Sequence, residues 1–564
     1  MESKPSLRLL LAVLCCSLIA VGFSGWGWVS HKERPFDAAY LALKSTEGGE
    51  AYERAQEEFA KKGDEPAIEI GRFAGLFVDP LAFAVLFLSL SGKSLTRFMA
   101  RRKSGHVVVV GESLFADKLG DHHNASIVHL RGIDDEVHQK GRAIRLPFGG
   151  FDVTALRAGG AARAAAIIIA PENDAQAIDL GMAAQHLYPK AQVSVRLHDY
   201  WLAERLHNTP GAERLSAISE PCLAARFVVR SYPPFLVARD AGQARIHALL
   251  IGDHDWLEAV MAEIILSACT LTFGKPVFSF ICDTPHVFSE RLVARYPELD
   301  AEAELHFYPA EHLDEHKTFL VNLQKVGTPA PVTAVYSLFK EGAESLSAAL
   351  TFVQAARQVN GFAAPVFVFN GGLDAHRPKS GSRLAPLEIV SFGNMTDLAN
   401  ASGLLSRETE IAEREFHSTY LTLKSLSEEA AAPWDELKEE YRVSNRRAVG
   451  HIYAKLFDAG FDLRPWMAHH NVWLALPALA EGEALYRNDA EKMRLAELEH
   501  VRWMADRRMS GWRYGVPRDE ERKLHPDIKA FDRLTEATQA SDLAFIDVLG
   551  RLLKHGKQGM VRYG

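Results

Sequence analysis

Cysteine is scarce: five in 564 residues, at positions 15, 16, 222, 269 and 282. Two are adjacent in an apolar run and three are scattered, which excludes a disulfide scaffold and a CxxC zinc site. The chain has no basic excess. Its 64 Lys and Arg face 72 Asp and Glu, a formal net charge of −8, which argues against nucleic acid as the main partner. Enzyme motifs are missing too: there is no GxSxG, no HExxH and no Walker-type lysine loop. With 48% apolar and 24% charged residues, the composition is that of a folded chain, long enough for three to five domains at ~100–200 residues each.

Two long apolar runs stand out. Residues 9–30 carry no charge, and 73–92 carry only Asp79, followed by Pro80. About 20 apolar residues cross a bilayer as a helix. The first run is longer than the ~7–15-residue core of a signal peptide, and it ends in Trp26 and Trp28 rather than at a small-residue cleavage site. Lys4 and Arg8 precede the first run, and Lys93, Arg97, Arg101, Arg102 and Lys103 follow the second. Positive flanks mark the inner side, so both termini are expected in the cytoplasm, with 31–72 as an external loop.

Within that loop, Phe36, Tyr40 and Leu43 keep a helical spacing and lead into Thr46-Glu47-Gly48-Gly49-Glu50. Two helices joined by a re-entrant loop is the plan of a simple cation channel, whose potassium filter needs consecutive carbonyls from a TVGYG-like run. Here Glu stands in place of Val and the central aromatic is missing. Two readings remain open: a pore loop that has lost its filter, or an amphipathic external helix. A carboxylate at Asp79 is costly in a membrane, so it is expected to face the bundle interior or water.

After residue 103 the pattern becomes alternating strand and helix. HVVVVG (106–111), SIVHL (126–130), AIRL (143–146), AAIIIA (165–170) and QVSVRL (192–197) read as strands, with a helix over 174–187. The plan repeats in HALLIG (247–252), PVFSFICD (276–283), ELHFYP (304–309), PVTAVYSLF (331–339) and PVFVFNG (365–371), with a crossover helix expected over 224–242. The expected fold is two tandem Rossmann-like α/β domains, 104–243 and 244–396, behind a membrane part at 1–103. HVVVVG, residues 150–184 and 193–206, and the position after a second membrane helix resemble the RCK, or TrkA-N, regulatory domains of cation channels and transporters. That resemblance implies nucleotide binding, with phosphates at the first strand–helix turn and an acidic residue on the ribose.

The matching positions are incomplete. Gly111 and Ala116 keep the first and last small residues of the dinucleotide turn, but Ser113 stands at the pyrophosphate position, and strand 126–130 ends in Arg131, which suits a phosphate. In the second half only Gly252 remains, beside Asp253 and Asp255, while Asp283 stands where a ribose-binding acid belongs. A nucleotide or dinucleotide is the expected cofactor class, against the alternative that both folds are scaffolds or dimerisation units.

Residues 397–436 form a charge-rich helical linker. Beyond it, Ser444 reads as the N-cap of a helix over 444–456, and Leu495, Leu498, Val501 and Trp503 space a helix to Met509 that Gly511 ends. Leu495-Ala496, Glu499-His500, Trp503, Arg507, Gly511-Trp512, Tyr514-Gly515, Asp519, Lys523, His525-Pro526, Leu534 and Asp542 resemble the Ryr domain, the ryanodine receptor repeat, assigned to 437–564. His500, Arg507, Trp512, Tyr514 and Lys523 would then line a pocket, aromatic faces for a base and cations for phosphates. The competing reading makes Trp503 and Trp512 core.

The whole resembles bacterial membrane proteins that join two membrane helices, RCK-like folds and a Ryr domain. The expected function is a ligand-gated membrane sensor in the bacterial inner membrane, conducting monovalent cations under control of a nucleotide-type molecule. The expected assembly is a homo-oligomer, a tetramer, since two helices per chain are too few to enclose a path. The alternatives are a membrane-anchored pyridine-nucleotide enzyme and a non-conducting tethered sensor or assembly protein. For the topology, a membrane-impermeant thiol reagent applied from outside should label Gly63→Cys and not Gly564→Cys; labelling of the second refutes it.

Overall fold

The computed structural model describes residues 98–564, apart from 121–125, 133–137, 141–142, 314–330, 360, 372–382, 402–412, 419–420, 422–430, 471–476, 554–558 and 564, together with isolated positions before residue 98. The expected membrane helices apart from Leu18 and Ile19, the residues Thr46, Glu47, Gly48, Gly49 and Glu50, and Asp79 lie outside the described residues. Among the described residues no helix is long and apolar enough to cross a membrane. The chain divides into two units, Met1–Arg102 and Lys103–Gly564.

The first sheet of the second unit has seven strands: β1 (Val107–Val110), β2 (Ile127–Arg131), β3 (His138–Lys140), β4 (Ala143–Pro147), β5 (Ala166–Ile169), β6 (Gln192–Leu197) and β7 (Ser216–Ser219). Their order is β3-β4-β2-β1-β5-β6-β7, and only β3 runs antiparallel to its neighbour. β1 is four valines and β5 is Ala-Ile-Ile-Ile. Such continuous β-branched runs suit strands buried on both faces. Helices α1 (Leu114–Gly120), α2 (Val153–Ala158), α3 (Asp174–Leu187) and α4 (Tyr200–Arg205) make the crossovers.

The second sheet is wholly parallel, in the order β10-β9-β8-β11-β12-β13. Its strands are β8 (Arg245–Gly252), β9 (Gly274–Cys282), β10 (Glu304–Pro309), β11 (Ala334–Leu338), β12 (Val366–Phe369) and β13 (Ile389–Phe392). Without β3, the two sheets share one strand order, that of the doubly wound Rossmann plan. The expected duplication therefore holds at the level of topology. The expected crossover over 224–242 is two helices, α5 (Glu220–Ser231) and α6 (Pro234–Asp240), because Tyr232 and Pro233 interrupt it. The Ser219 hydroxyl caps α5 by accepting from the Cys222 N–H at 3.4 Å. In the second half α7 (His254–Ser267), α8 (Pro285–Arg295), α9 (Leu299–Glu302) and α10 (Gly342–Ala356) follow the strands. α5 packs on α7, and the closing helix α11 (Met395–Ala401) returns to α1, so the two halves share one core.

The C-terminal module comprises α12 (Glu439–Gly450), α13 (Ile452–Asp458), α14 (Arg464–His469), α15 (Asp489–Met509), a two-residue parallel pair β14 (Arg513–Tyr514) and β15 (Leu524–His525), and α16 (Glu536–Leu552). Ser444 is not an N-cap. The helix starts five residues earlier, and the Ser444 hydroxyl, inside α12, donates to Asp506 at 3.1 Å. α15 ends where expected, with Gly511 in the left-handed region at φ 84°. Its buried face differs from the expected one. Leu495, Leu498, Glu499, Arg502, Asp506 and Met509 face inward, while Val501 and Trp503 are half-buried. The i, i+3, i+4 stripe runs through the charged residues because partners of opposite sign wait in the core.

Gly111 and Gly252 occupy the same place in the two halves. Their φ angles are 142° and 144°, and a Cβ would lie 2.1 Å from the Ala170 carbonyl oxygen in the first and 2.0 Å from that of Leu338 in the second. Each lets the first strand turn against its neighbour across the switch in strand order. Gly252→Ala should therefore destabilise the chain by about 1–3 kcal/mol, read as a lower Tm; an unchanged Tm would show that the turn tolerates a side chain.

Candidate functional site

In the first sheet the turn after β1 brings Gly111, Ser113 and Ala116 together, but the groups a phosphate needs are engaged within the protein. The Ser113 hydroxyl is buried and accepts from the Ala116 N–H at 3.2 Å. Arg131, at the end of β2, pairs with Asp117 on α1 at 2.9 Å. The Glu112 carboxylate lies over the β2 end, 2.7 Å from where a Gly132 Cβ would stand. The expected phosphate role of Arg131 thus meets a competing carboxylate.

The second sheet carries a cleft of about 550 Å³ at its switch point, where open α/β sheets bind their ligands. Five strand ends converge on it. Gly252–Trp256 follow β8, Asp283 and Thr284 follow β9, and Lys340 follows β11; His198 and Asp199 follow β6, and Glu220 and Pro221 follow β7. Both sheets thus present their carboxyl ends to one cavity. Gly252 and Asp283, expected from the sequence to form one site, are brought together here.

The cleft's side chains are held in place. His254 stacks on Phe288, centroids 4.5 Å apart at 14°, and hydrogen-bonds Thr284 at 3.3 Å. Burial, then the nearby Arg291 guanidinium, lowers its pKa and favours the neutral ring. Arg291 donates to Asp255 and to Glu258, both at 3.0 Å. The buried Glu258 also accepts from Arg295 at 2.6 Å and from the Tyr296 hydroxyl at 2.9 Å. Asp253 accepts from the Lys340 backbone N–H at 2.8 Å. Glu220 pairs with Arg196 at 2.5 Å. Asp283 is exposed and makes no hydrogen bond or ion pair among the described residues.

The C-terminal module gathers a second group. Arg507 lies over the rings of Trp503 and Trp512 at 5.8 and 5.6 Å, and Arg518 over Trp512 at 5.9 Å. Lys523 donates to the Ser510 carbonyl at 2.8 Å; burial and then Arg205 lower its pKa. Trp512 is buried and Tyr514 is exposed. His500 meets this group only from behind, stacking on Trp503 with centroids 5.5 Å apart. It is buried, its Nε2–H donating to the Lys529 carbonyl at 2.9 Å and its Nδ1 3.4 Å from Asp542. His525, absent from the expected pocket, sits edge-on to Trp503 and Trp512; burial and Arg518 push its pKa down to about 4.

A buried ionic web, absent from the sequence reading, joins this module to both sheets. Arg447 on α12 pairs with Asp506 on α15 and reaches Glu204 on α4 at 2.8 Å. Arg502 donates to Glu499 at 2.7 Å, and Lys455 pairs with Glu499 at 2.7 Å. Arg508 reaches Glu302 of the second half at 2.5 Å, and Arg205 of the first half donates to the Met509 carbonyl at 2.6 Å. His451 is tied to the Cys269 carbonyl at 2.8 Å and to Lys455 at 3.1 Å. Burial keeps that ring neutral, its Nε2–H donating and its Nδ1 accepting. The only trace of this web in the sequence is three charges at helical spacing, Glu499, Arg502 and Asp506, on a face otherwise apolar.

The RyR domain family model matches residues 487–557, which span α15, β14, β15 and α16. Several solved structures are also similar, three of them as follows. One, titled as GsuK bound to ADP, is 13% identical with a TM-score of 0.33, over 71% of this chain and 99% of that one. The GsuK channel is 12% identical, TM-score 0.34, over 71% and 84%. The GsuK channel bound to NAD is 11% identical, TM-score 0.30, over 71% and 84%. The C-terminal helical region therefore has a RyR domain, on a chain whose preceding part is two Rossmann-like sheets.

Arg447→Met would leave Glu204 and Asp506 without their shared guanidinium and should cost about 3–5 kcal/mol in denaturant unfolding. Burial by itself would raise the Asp506 pKa; Arg447 and Arg502 outweigh it and hold it at about 2. A depressed carboxylate stabilises above its unfolded pKa of ~3.9 and loses that contribution as pH falls towards the folded value. The wild-type margin over Asp506→Asn should therefore shrink between about pH 4 and pH 2. A margin independent of pH in that window would refute the assignment.

Proposed function

We propose that this chain is a membrane-embedded, ligand-gated sensor: a nucleotide-type molecule bound by its Rossmann-like and RyR modules controls a cation path formed by the N-terminal segment. The observation that carries this reading is the cleft into which five strand ends of two Rossmann-like sheets deliver their residues, with Asp283 unengaged at the ribose position. A ligand there touches both halves at once. The ionic web around Arg447 and Arg508 then ties any change in their relation to the RyR module. The aromatic and cationic wall of Arg507, Trp512, Arg518 and Lys523 supports a second contact point for a base or phosphate.

The membrane side of the proposal rests on the two apolar runs and their positive flanks. It places the protein in the bacterial cytoplasmic membrane with both termini inside, as a homo-oligomer, a tetramer in the simplest arrangement. Glu47 and Glu50 would ring the mouth of the path and attract cations, with no carbonyl filter to separate potassium from sodium.

The test is a bilayer recording of the full chain, with mass spectrometry of the small molecules released on denaturation to supply the ligand. Conduction should be cation-selective and respond to that ligand. Glu47→Gln with Glu50→Gln should lower the preference for cations over anions, and Asp283→Asn should remove the ligand response while leaving conduction. A bilayer that stays silent with the ligand added and withdrawn refutes the channel. Turnover of the ligand would favour a membrane-anchored enzyme.

A further inference from the structure

We propose that the cleft of the second sheet selects a ribonucleoside, or a nucleoside-like molecule carrying no phosphate chain, over the corresponding diphosphate. This deepens the reading above and rests on the cleft being the sensor's ligand site.

Lys340 apart, each charged group in the cleft is already engaged or of the wrong sign for a phosphate. In a doubly wound sheet, a dinucleotide's pyrophosphate sits at the N-terminus of the helix after the first strand. Here that helix is α7, and the residues at its start are Asp253 and Asp255. Asp253 does not cap the helix; its carboxylate accepts from the Lys340 backbone N–H instead and so stays at the cleft's rim. Asp255 and the buried Glu258 both hold Arg291, the cleft's guanidinium, through the same Nη2. The groups at the helix start that would receive a phosphate are thus either negative or occupied. Among the described residues Lys340 is the one cleft cation with no ion pair, against Asp199, Asp253 and Asp283. A terminal phosphate would add about −2 to this surface.

The other half of a nucleotide is well provided for. Asp283 stands at the end of β9, the second strand, where an acid accepts from both hydroxyls of a ribose, and it has no competing partner among the described residues. His254, stacked on Phe288 and kept neutral by burial, gives a flat face beside it. At about 550 Å³ the cavity falls within the ~300–1,000 Å³ of small-molecule sites. Glu220 and His198 close it from the first half, so the occupant is held between two domains.

The experiment is titration calorimetry on the full chain in detergent, with adenosine, guanosine, cytidine and uridine, each compared with its 5′-diphosphate, with and without magnesium. At least one nucleoside should bind at least about tenfold more tightly than its diphosphate. Its 2′,3′-dideoxy form should lose that affinity, and so should Asp283→Asn at unchanged Tm. Asp255→Asn, which removes one of the two carboxylates on Arg291 and one negative charge from the helix start, should narrow the gap to the diphosphate. The dideoxy ligand keeps the test decisive if a variant misfolds. A diphosphate that binds as well as its nucleoside, with magnesium or without, overturns the inference and leaves the sensor reading standing. Binding of neither class overturns both.

Discussion

Arg447 lies where three modules meet, and much of the architecture depends on its guanidinium being paired on both sides. It joins Asp506 of the RyR module to Glu204 of the first sheet's helices. Arg502, Glu499 and Lys455, none more than 1% exposed, extend the same web into the module's core. Buried ions are a poor source of net stability, since desolvation offsets much of the attraction. They are strict about geometry, because any shift that separates a pair leaves a charge uncompensated. A web of this kind favours a small number of well-defined arrangements between modules, as a switching device requires.

The same constraint gives the cleft its meaning. Two sheets that share one strand order once β3 is set aside place their carboxyl ends around one cavity, so the proposed ligand at Asp283 and Gly252 would also meet Glu220 and His198. Helix α7 begins at the cleft and packs on both α15 and α5. On the proposed reading, a ligand that moved the start of α7 would act on the face where Arg508 reaches Glu302. The coupling would run along a rigid helix and its ionic contacts rather than through a loop.

Much of the fold was legible because it depends on local pattern. Apolar runs ending in Gly, VVVVG and ALLIG, marked β1 and β8, and the spacing of the expected strands disclosed the duplication. The strands that went unread, β3, β7 and β13, are short, and β3 and β7 carry few apolar residues; their existence follows from having a sheet edge to pair with. Ser444 shows the converse failure. Its residue type suits an N-cap, but Asp506, 62 positions away, supplies a better partner inside the helix.

Amino-acid sequence by itself determined the parallel α/β repeats, the α15 helix with its end at Gly511, and the pairing of Gly252 with Asp283. Each follows from periodicity or from a residue's place relative to a strand end. Tertiary structure decided which charges are available for chemistry. Arg131 looks like a phosphate ligand until Asp117 is seen beside it, and His500 looks like a pocket residue until the Lys529 carbonyl and Asp542 are seen to engage it. The physical reason is that a charged side chain's role is set by its nearest partner and its exposure to water. Both are properties of residues far apart in the chain, and no local spacing encodes them.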